Sequence, residues 1–163
     1  MANFFVWIES LSYSVWVRES PSFWAFPLFL FLHTLGMSIV AGSAMIIEFS
    51  LLGLWPRNAP IKQVERFFPV CWVGFWINAF TGISIFMKDS STYGRNPALY
   101  VKLVFVFAGL TLLMAIRKQV FQGLAPTQTT VSSNAKLLAA ASLFCWFAAI
   151  LAGRLIAYVG AVH

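Results

Sequence analysis

The chain has 163 residues, 60% of them hydrophobic and 10% charged, with a mean hydropathy of +0.81. A soluble domain of that size has too little interior to hide so much apolar surface, so a bilayer must supply the missing apolar solvent. Four spans of about 20 residues would put roughly half the chain in hydrocarbon and leave no length for a separate soluble domain. The net charge of +6 comes from basic residues scattered through loops, with no Lys/Arg run or basic helix face, which excludes nucleic acid as a partner.

The first twenty residues lack the basic start and small-residue cleavage site of a signal peptide. Phe4, Phe5, Trp7, Ile8, Leu11, Val15 and Trp16 alternate with Glu9, Ser10, Ser12, Ser14 and Arg18. That pattern predicts one amphipathic helix over residues 3–19, lying in the membrane interface and ended by Ser20-Pro21. The first span is expected over residues 23–55, with Trp24 and Trp55 marking its exits at the headgroups. The second is expected over residues 67–87. The third, residues 97–116, is opened by Asn96-Pro97, a turn residue followed by proline at the first helical position. The fourth is expected over residues 136–159. The whole chain thus reads as a single all-α membrane domain, a four-transmembrane-helix bundle with a short interfacial helix before it.

Orientation follows from the basic residues. Arg57, Lys62, Arg66, Arg117, Lys118 and Lys136 fall on one side, against Arg18, Lys88 and Arg95 on the other. The positive-inside rule then places both termini in the periplasm, for a multi-pass protein of a bacterial inner membrane. Small residues recur every four positions at Gly74, Asn78 and Gly82 and at Ala149, Gly153, Ala157 and Ala161, as helix contacts in lipid require. Such stripes on several spans also leave faces for a homo-oligomer. Cys71 and Cys145 belong to no CxxC pair and read as small buried hydrophobes.

Ionisable groups inside a span are expensive and face the bundle interior, where they pair or bind something. His33 lies roughly 13 Å along the helix from Trp24, Lys102 roughly 8 Å from Pro97, and Arg154 roughly 8 Å from Val159, all counted from the same membrane surface. Two shallow cations above a deeper imidazole suit an upright haem: His33 as axial ligand to iron, Lys102 and Arg154 near the propionates, and Gly36 one turn below His33 leaving room for a flat macrocycle. Snorkelling of both cations, and a simple hydrogen bond from His33, are the structural alternatives. The other histidine, His163, stands at the chain end, so the second axial position falls to Lys102, to Met87, to a partner chain, or to nothing. Glu48, fifteen residues after His33, is a candidate to pair with Arg57 or Lys118 or to relay protons, and Asn78 a candidate for an interhelical hydrogen bond. Phosphate-loop, HExxH, CxxCH and Ser/His/Asp signatures are absent.

Four stretches resemble a family of small bacterial four-span membrane proteins of unknown function. They are Trp16 to Met45, Phe67 to Asp89, Tyr93 to Leu110 and Leu151 to Gly160, with LHxLG, NPxxxxKL and GRxIAY as their distinctive pieces. More distantly, Leu32-His33 and Lys102-Leu103 are similar to elements of the HemJ-type protoporphyrinogen oxidases and the CopD-type copper-resistance membrane proteins. In the HemJ type the matching His and Lys are tied to haem b, so the resemblance implicates His33 and Lys102. The chain lacks the further histidine of the HemJ type, a departure that bears on oxidase activity more than on haem binding. It also lacks a Met/His cluster of the kind Cu(I) needs. The expectation is a haem b-binding membrane protein with a redox or electron-transfer role, as an oxidoreductase, a subunit of one, or a protein served by a redox partner. The alternatives are a cofactor-free subunit scaffolding a larger complex and a metal or small-solute permease.

Overall fold

The computed structural model describes residues 2–54, 60–123 and 131–159. Two short helices come first, α1 (Ala2–Ser10) and α2 (Ser12–Glu19), followed by the long α3 (Phe26–Leu52). A 3-10 turn, Ile61–Arg66, leads into α4 (Phe67–Lys88), and the single turn α5 (Ser90–Tyr93) leads to α6 (Pro97–Gln119). A second 3-10 turn, Phe121–Gly123, precedes α7 (Ser133–Val159). Four of the helices are long and apolar enough to cross a bilayer, and among the described residues there is no strand. The protein is an all-α, multi-pass membrane bundle.

The amino-terminal stretch is two helices where one was expected. Leu11 takes an extended backbone (φ −62°, ψ 138°), and the Ser14 hydroxyl donates to the Ile8 carbonyl across the corner at 2.7 Å. Nor does the pair only float in the interface, because α2 packs on α4 and α1 on α5. The Glu9 carboxylate accepts the Ser91 N–H at 2.6 Å, Ser90 donates to the Phe5 carbonyl at 2.9 Å, and the Tyr13 hydroxyl meets Ser84 at 2.8 Å. Tyr13 and Trp16 also set their ring edges against Phe29 of α3.

The first span is shorter than residues 23–55, and caps set its limits. Ser22 to Ala25 form a turn, Pro27 lies in the first turn of the helix, and the far end stops at Gly53. Gly53 has φ 74°, and its N–H reaches the Phe49 and Ser50 carbonyls; only glycine enters that left-handed conformation at little cost. Trp55 and Arg57 lie outside the described residues. Helix α6 begins where expected because the Asn96 side chain accepts the Ala98 N–H at 3.0 Å, and it runs to Gln119 rather than 116. Helix α7 starts three residues before 136, with the Ser132 hydroxyl accepting the Ala135 N–H at 3.3 Å.

Two hairpins make the bundle, α3 with α4 and α6 with α7, and α3 against α7 joins them. The apolar core lies toward the end that carries the two 3-10 turns, with Lys62 and Arg66 in the first and Arg117 and Lys118 closing α6 before the second. Val40, Ala44, Ile47, Leu51, Phe68, Leu113, Ile116, Phe121, Ala139 and Trp146 pack there, and Lys62 ties the two turns by donating to the Phe121 carbonyl at 3.1 Å. The opposite, amino-terminal end is looser: no residue of α3 before Gly36 is buried. Trp76, Phe80, Val104, Phe107 and Phe144 point outward and stay exposed in the isolated chain, the surface that hydrocarbon covers.

Candidate functional site

Near the amino-terminal end, all four long helices contribute to one polar cluster centred on His33. The His33 ring lies against Gly82 of α4, where an added Cβ would stand 3.0 Å from Cε1. That missing side chain lets the imidazole reach the α4 backbone. Nδ1 is 3.1 Å from the Asn78 carbonyl and 3.2 Å from the Thr81 hydroxyl. A carbonyl can only accept, so Nδ1 carries the ring proton, and Thr81 spends its own proton on the Ile77 carbonyl at 2.7 Å. Asn78 closes the pair by donating from Nδ2 to the His33 carbonyl at 2.8 Å. The helices α3 and α4 are therefore cross-linked at His33 through both backbone and side chain, a worthwhile bond where no water competes.

This tautomer leaves Nε2 with a free lone pair, and it faces Lys102 Nζ of α6 at 3.3 Å. Lys102 reaches it by lying across Gly153 of α7, whose missing Cβ would sit 3.4 Å from the lysine Cδ. Thus Gly82 and Gly153, small residues of the packing stripes, each make room for one of the two nitrogens.

The other expected members do not join them. Gly36 is filled by protein: a Cβ there would meet the Asn78 nitrogen at 2.8 Å and the Gly74 oxygen at 3.1 Å. Reciprocally, Gly74 admits the Val40 nitrogen and Ile39 side chain, so the two glycines bring the helix backbones into contact and leave no space for a macrocycle. Arg154 follows Gly153 in sequence but is turned about 100° round the helix. It is exposed and borders an open apolar groove of about 560 Å³ with Phe147, Ile150 and Leu151 on the outer face of α7. Met87 lies six residues beyond Thr81, roughly 9 Å farther along α4, and the group opposite His33 Nε2 is Lys102. His163 lies outside the described residues.

Asn78 and Gly82 were visible in sequence as one four-residue stripe, and Gly153 as part of another. Thr81 carried no signal of its own. Among the described residues no three His, Cys, Asp or Glu side chains gather as a metal set. The donor chemistry that remains is a single imidazole whose Nδ1–H is held by a backbone carbonyl and whose Nε2 faces the Lys102 amine, so it could take one haem iron only with that amine moved aside. Glu48 belongs to a different layer, and between it and His33 the interior is lined by Val40, Ala44 and Leu110. Compared with known protein families, curated proteins and solved structures, the chain matches none.

Proposed function

We propose that this protein binds haem b at the His33 cluster and serves a redox or electron-transfer role in the membrane. The observation that carries the reading is the anchored imidazole: Nδ1 held by the Asn78 carbonyl, Nε2 turned inward toward the Lys102 amine, which haem binding would displace from it. A hydrogen bond from Nδ1 to a carbonyl fixes ring orientation and raises the basicity of Nε2, the arrangement that metal-binding histidines use. His33 is then the iron ligand. Lys102 is the second nitrogen at the site, placed to ligate in turn or to pair with a propionate. Haem supplies one-electron chemistry when bound. The protein's own part is to orient the ring through Asn78 and Thr81, to hold a cation beside it, and to close the site with the aromatic edge of Tyr13, Trp16 and Phe29 one turn away. In this reading the site lies in the periplasmic half of a bacterial inner membrane, because Lys62, Arg66, Arg117 and Lys118 at the opposite end mark the cytoplasmic side. A redox partner protein, or a second copy of the chain, exchanges the electron.

A second reading has its own support. Both His33 ring nitrogens, the Asn78 amide N–H, the Thr81 hydroxyl and the Lys102 amine find partners within the fold, as in a cofactor-free subunit that scaffolds a larger complex. The visible spectrum of protein purified from haem-replete cells separates the two. Haem binding predicts a Soret band that is lost in His33→Ala. A colourless, folded preparation that co-purifies with other membrane proteins rejects haem and supports the scaffold.

A further inference from the structure

At the 3-10-turn end, the α3–α7 contact buries a carboxyl with one hydroxyl, Ser142, beside it and no bond of ordinary length. Glu48 is 0% exposed, and neither of its oxygens completes a hydrogen bond. Ser142 of α7 lies beside it, also 0% exposed, with its hydroxyl unpartnered. One turn along α7, the Trp146 indole lies against Gly109 of α6, with its Nε1 also unpartnered. Buried polar atoms are paired in the great majority of cases, so a buried carboxyl with a single hydroxyl beside it calls for an explanation.

The groups around Glu48 do not neutralise it. Cys71 of α4 and Cys145 of α7 stand near it and are uncharged thiols. From the 3-10 turn, Lys62 is committed to Glu65 at 2.8 Å and to the Phe121 carbonyl. Arg117 of α6 lies over the Phe68 ring. Among the described residues no cation pairs with Glu48. An ionised carboxylate enclosed in that core would carry its full desolvation cost, whereas the protonated acid would not.

We propose that Glu48, with Ser142 beside it, forms a proton-binding site loaded from the water at the 3-10-turn end of the bundle. In the loading step a hydronium ion gives its proton to a Glu48 carboxylate oxygen. One O–H bond forms, one breaks, and a neutral water leaves. Unloading reverses this, and the Ser142 O–H is the donor available to the carboxylate while it is charged. A metal cation fits less well: the cluster offers one carboxyl and one hydroxyl, fewer oxygens than a hard cation takes. The site is independent of the haem reading. Glu48 lies fifteen residues along α3 from His33, roughly 22 Å away, with the apolar layer between.

Dicyclohexylcarbodiimide, which attacks protonated carboxyls in apolar surroundings, tests this on the full chain in detergent, with mapping by mass spectrometry. The other acidic residues, Glu9, Glu19, Glu65 and Asp89, lie outside the four long helices. The expected result is one adduct per chain at Glu48, lost at least tenfold as the pH is raised and unchanged by added Na⁺. Ser142→Ala should move the pH at which labelling falls. Infrared difference spectra against Glu48→Gln should show the protonated carboxyl band in the wild type alone. If Glu48→Gln does not fold, the wild-type labelling and its pH profile decide. A folded wild type unlabelled at Glu48 at every pH overturns the proposal, as does protection by Na⁺ at fixed pH, which would make this a cation site.

Discussion

Gly36→Ala is the sharpest perturbation of the bundle, because its effect can be worked from distances. The added Cβ would stand 2.8 Å from the Asn78 nitrogen, and ordinary contact begins at 3.4 Å, so α3 and α4 must part by about 0.6 Å, the difference of the two. The obstacle is backbone on both sides and cannot rotate away. Overpacking of this kind costs about 1–3 kcal/mol. Transmitted in full, the shift would also stretch the 3.1 Å bond from His33 Nδ1 to about 3.7 Å, outside hydrogen-bond range. Gly42→Ala, on the same helix, is the control: nothing lies within 4 Å of its Cβ, so it gains only helix propensity, about 0.5–1 kcal/mol measured in water. Gly36→Ala gains the same propensity, so the two variants should differ by the overpacking cost, about 1–3 kcal/mol, with Gly36→Ala the weaker. Unfolding in dodecylmaltoside by increasing mole fractions of sodium dodecyl sulfate, followed by circular dichroism, reads that difference. A Gly36→Ala protein as stable as Gly42→Ala would refute the close α3–α4 crossing.

Three further outcomes are expected. Asn78→Ala removes the 2.8 Å bond to the His33 carbonyl and should cost roughly 0.6–2 kcal/mol in the same assay; no loss would mean the bond carries nothing. Glu9→Ala strips the acceptor from the Ser91 N–H and should cost about 1.5–3 kcal/mol of local stability, seen as faster amide exchange at Ser91, with Glu9→Gln milder and the exchange of α6 and α7 unchanged. The Tyr93 hydroxyl is held above the usual tyrosine range by burial and then by the Asp89 carboxylate. The folded chain grips that proton more tightly than the unfolded chain, so Tyr93 contributes no loss below about pH 10 and a loss of stability as the pH rises past it. Tyr93→Phe should lack that part of the alkaline loss, and identical alkaline curves would count against it.

Depth along a span was legible in the residues, because it depends only on counting from a helix end. His33 and Lys102 do meet, and counting put them in the same half of the membrane. Azimuth was not legible. Arg154 has the same depth as Lys102, but it is Gly153, one residue earlier, that faces inward, and Arg154 points out beside Ile150 and Leu151. Gly36 shows the same blindness. A glycine beside a histidine reads alike whether the space is left for a ligand or for another backbone, and the backbone that fills it belongs to Gly74 and Asn78 on another helix. The four spans were plain from hydropathy, while their ends were set by Gly53, Asn96 and Ser132, caps that shift a boundary by only a turn. The break at Leu11 had no glycine or proline to announce it. It comes from a tertiary demand, the docking of α1 on α5 and of α2 on α4.

The central claim, that His33 is a haem ligand, is tested most directly by titrating the purified apoprotein with haem b and following the Soret band. The account predicts saturation at one haem per chain, loss of the shifted band in His33→Ala, and unchanged binding in Arg154→Ala, whose side chain lies off the site. A titration in which His33→Ala behaves as the wild type, or in which the folded wild type leaves the haem spectrum unaltered, would contradict it.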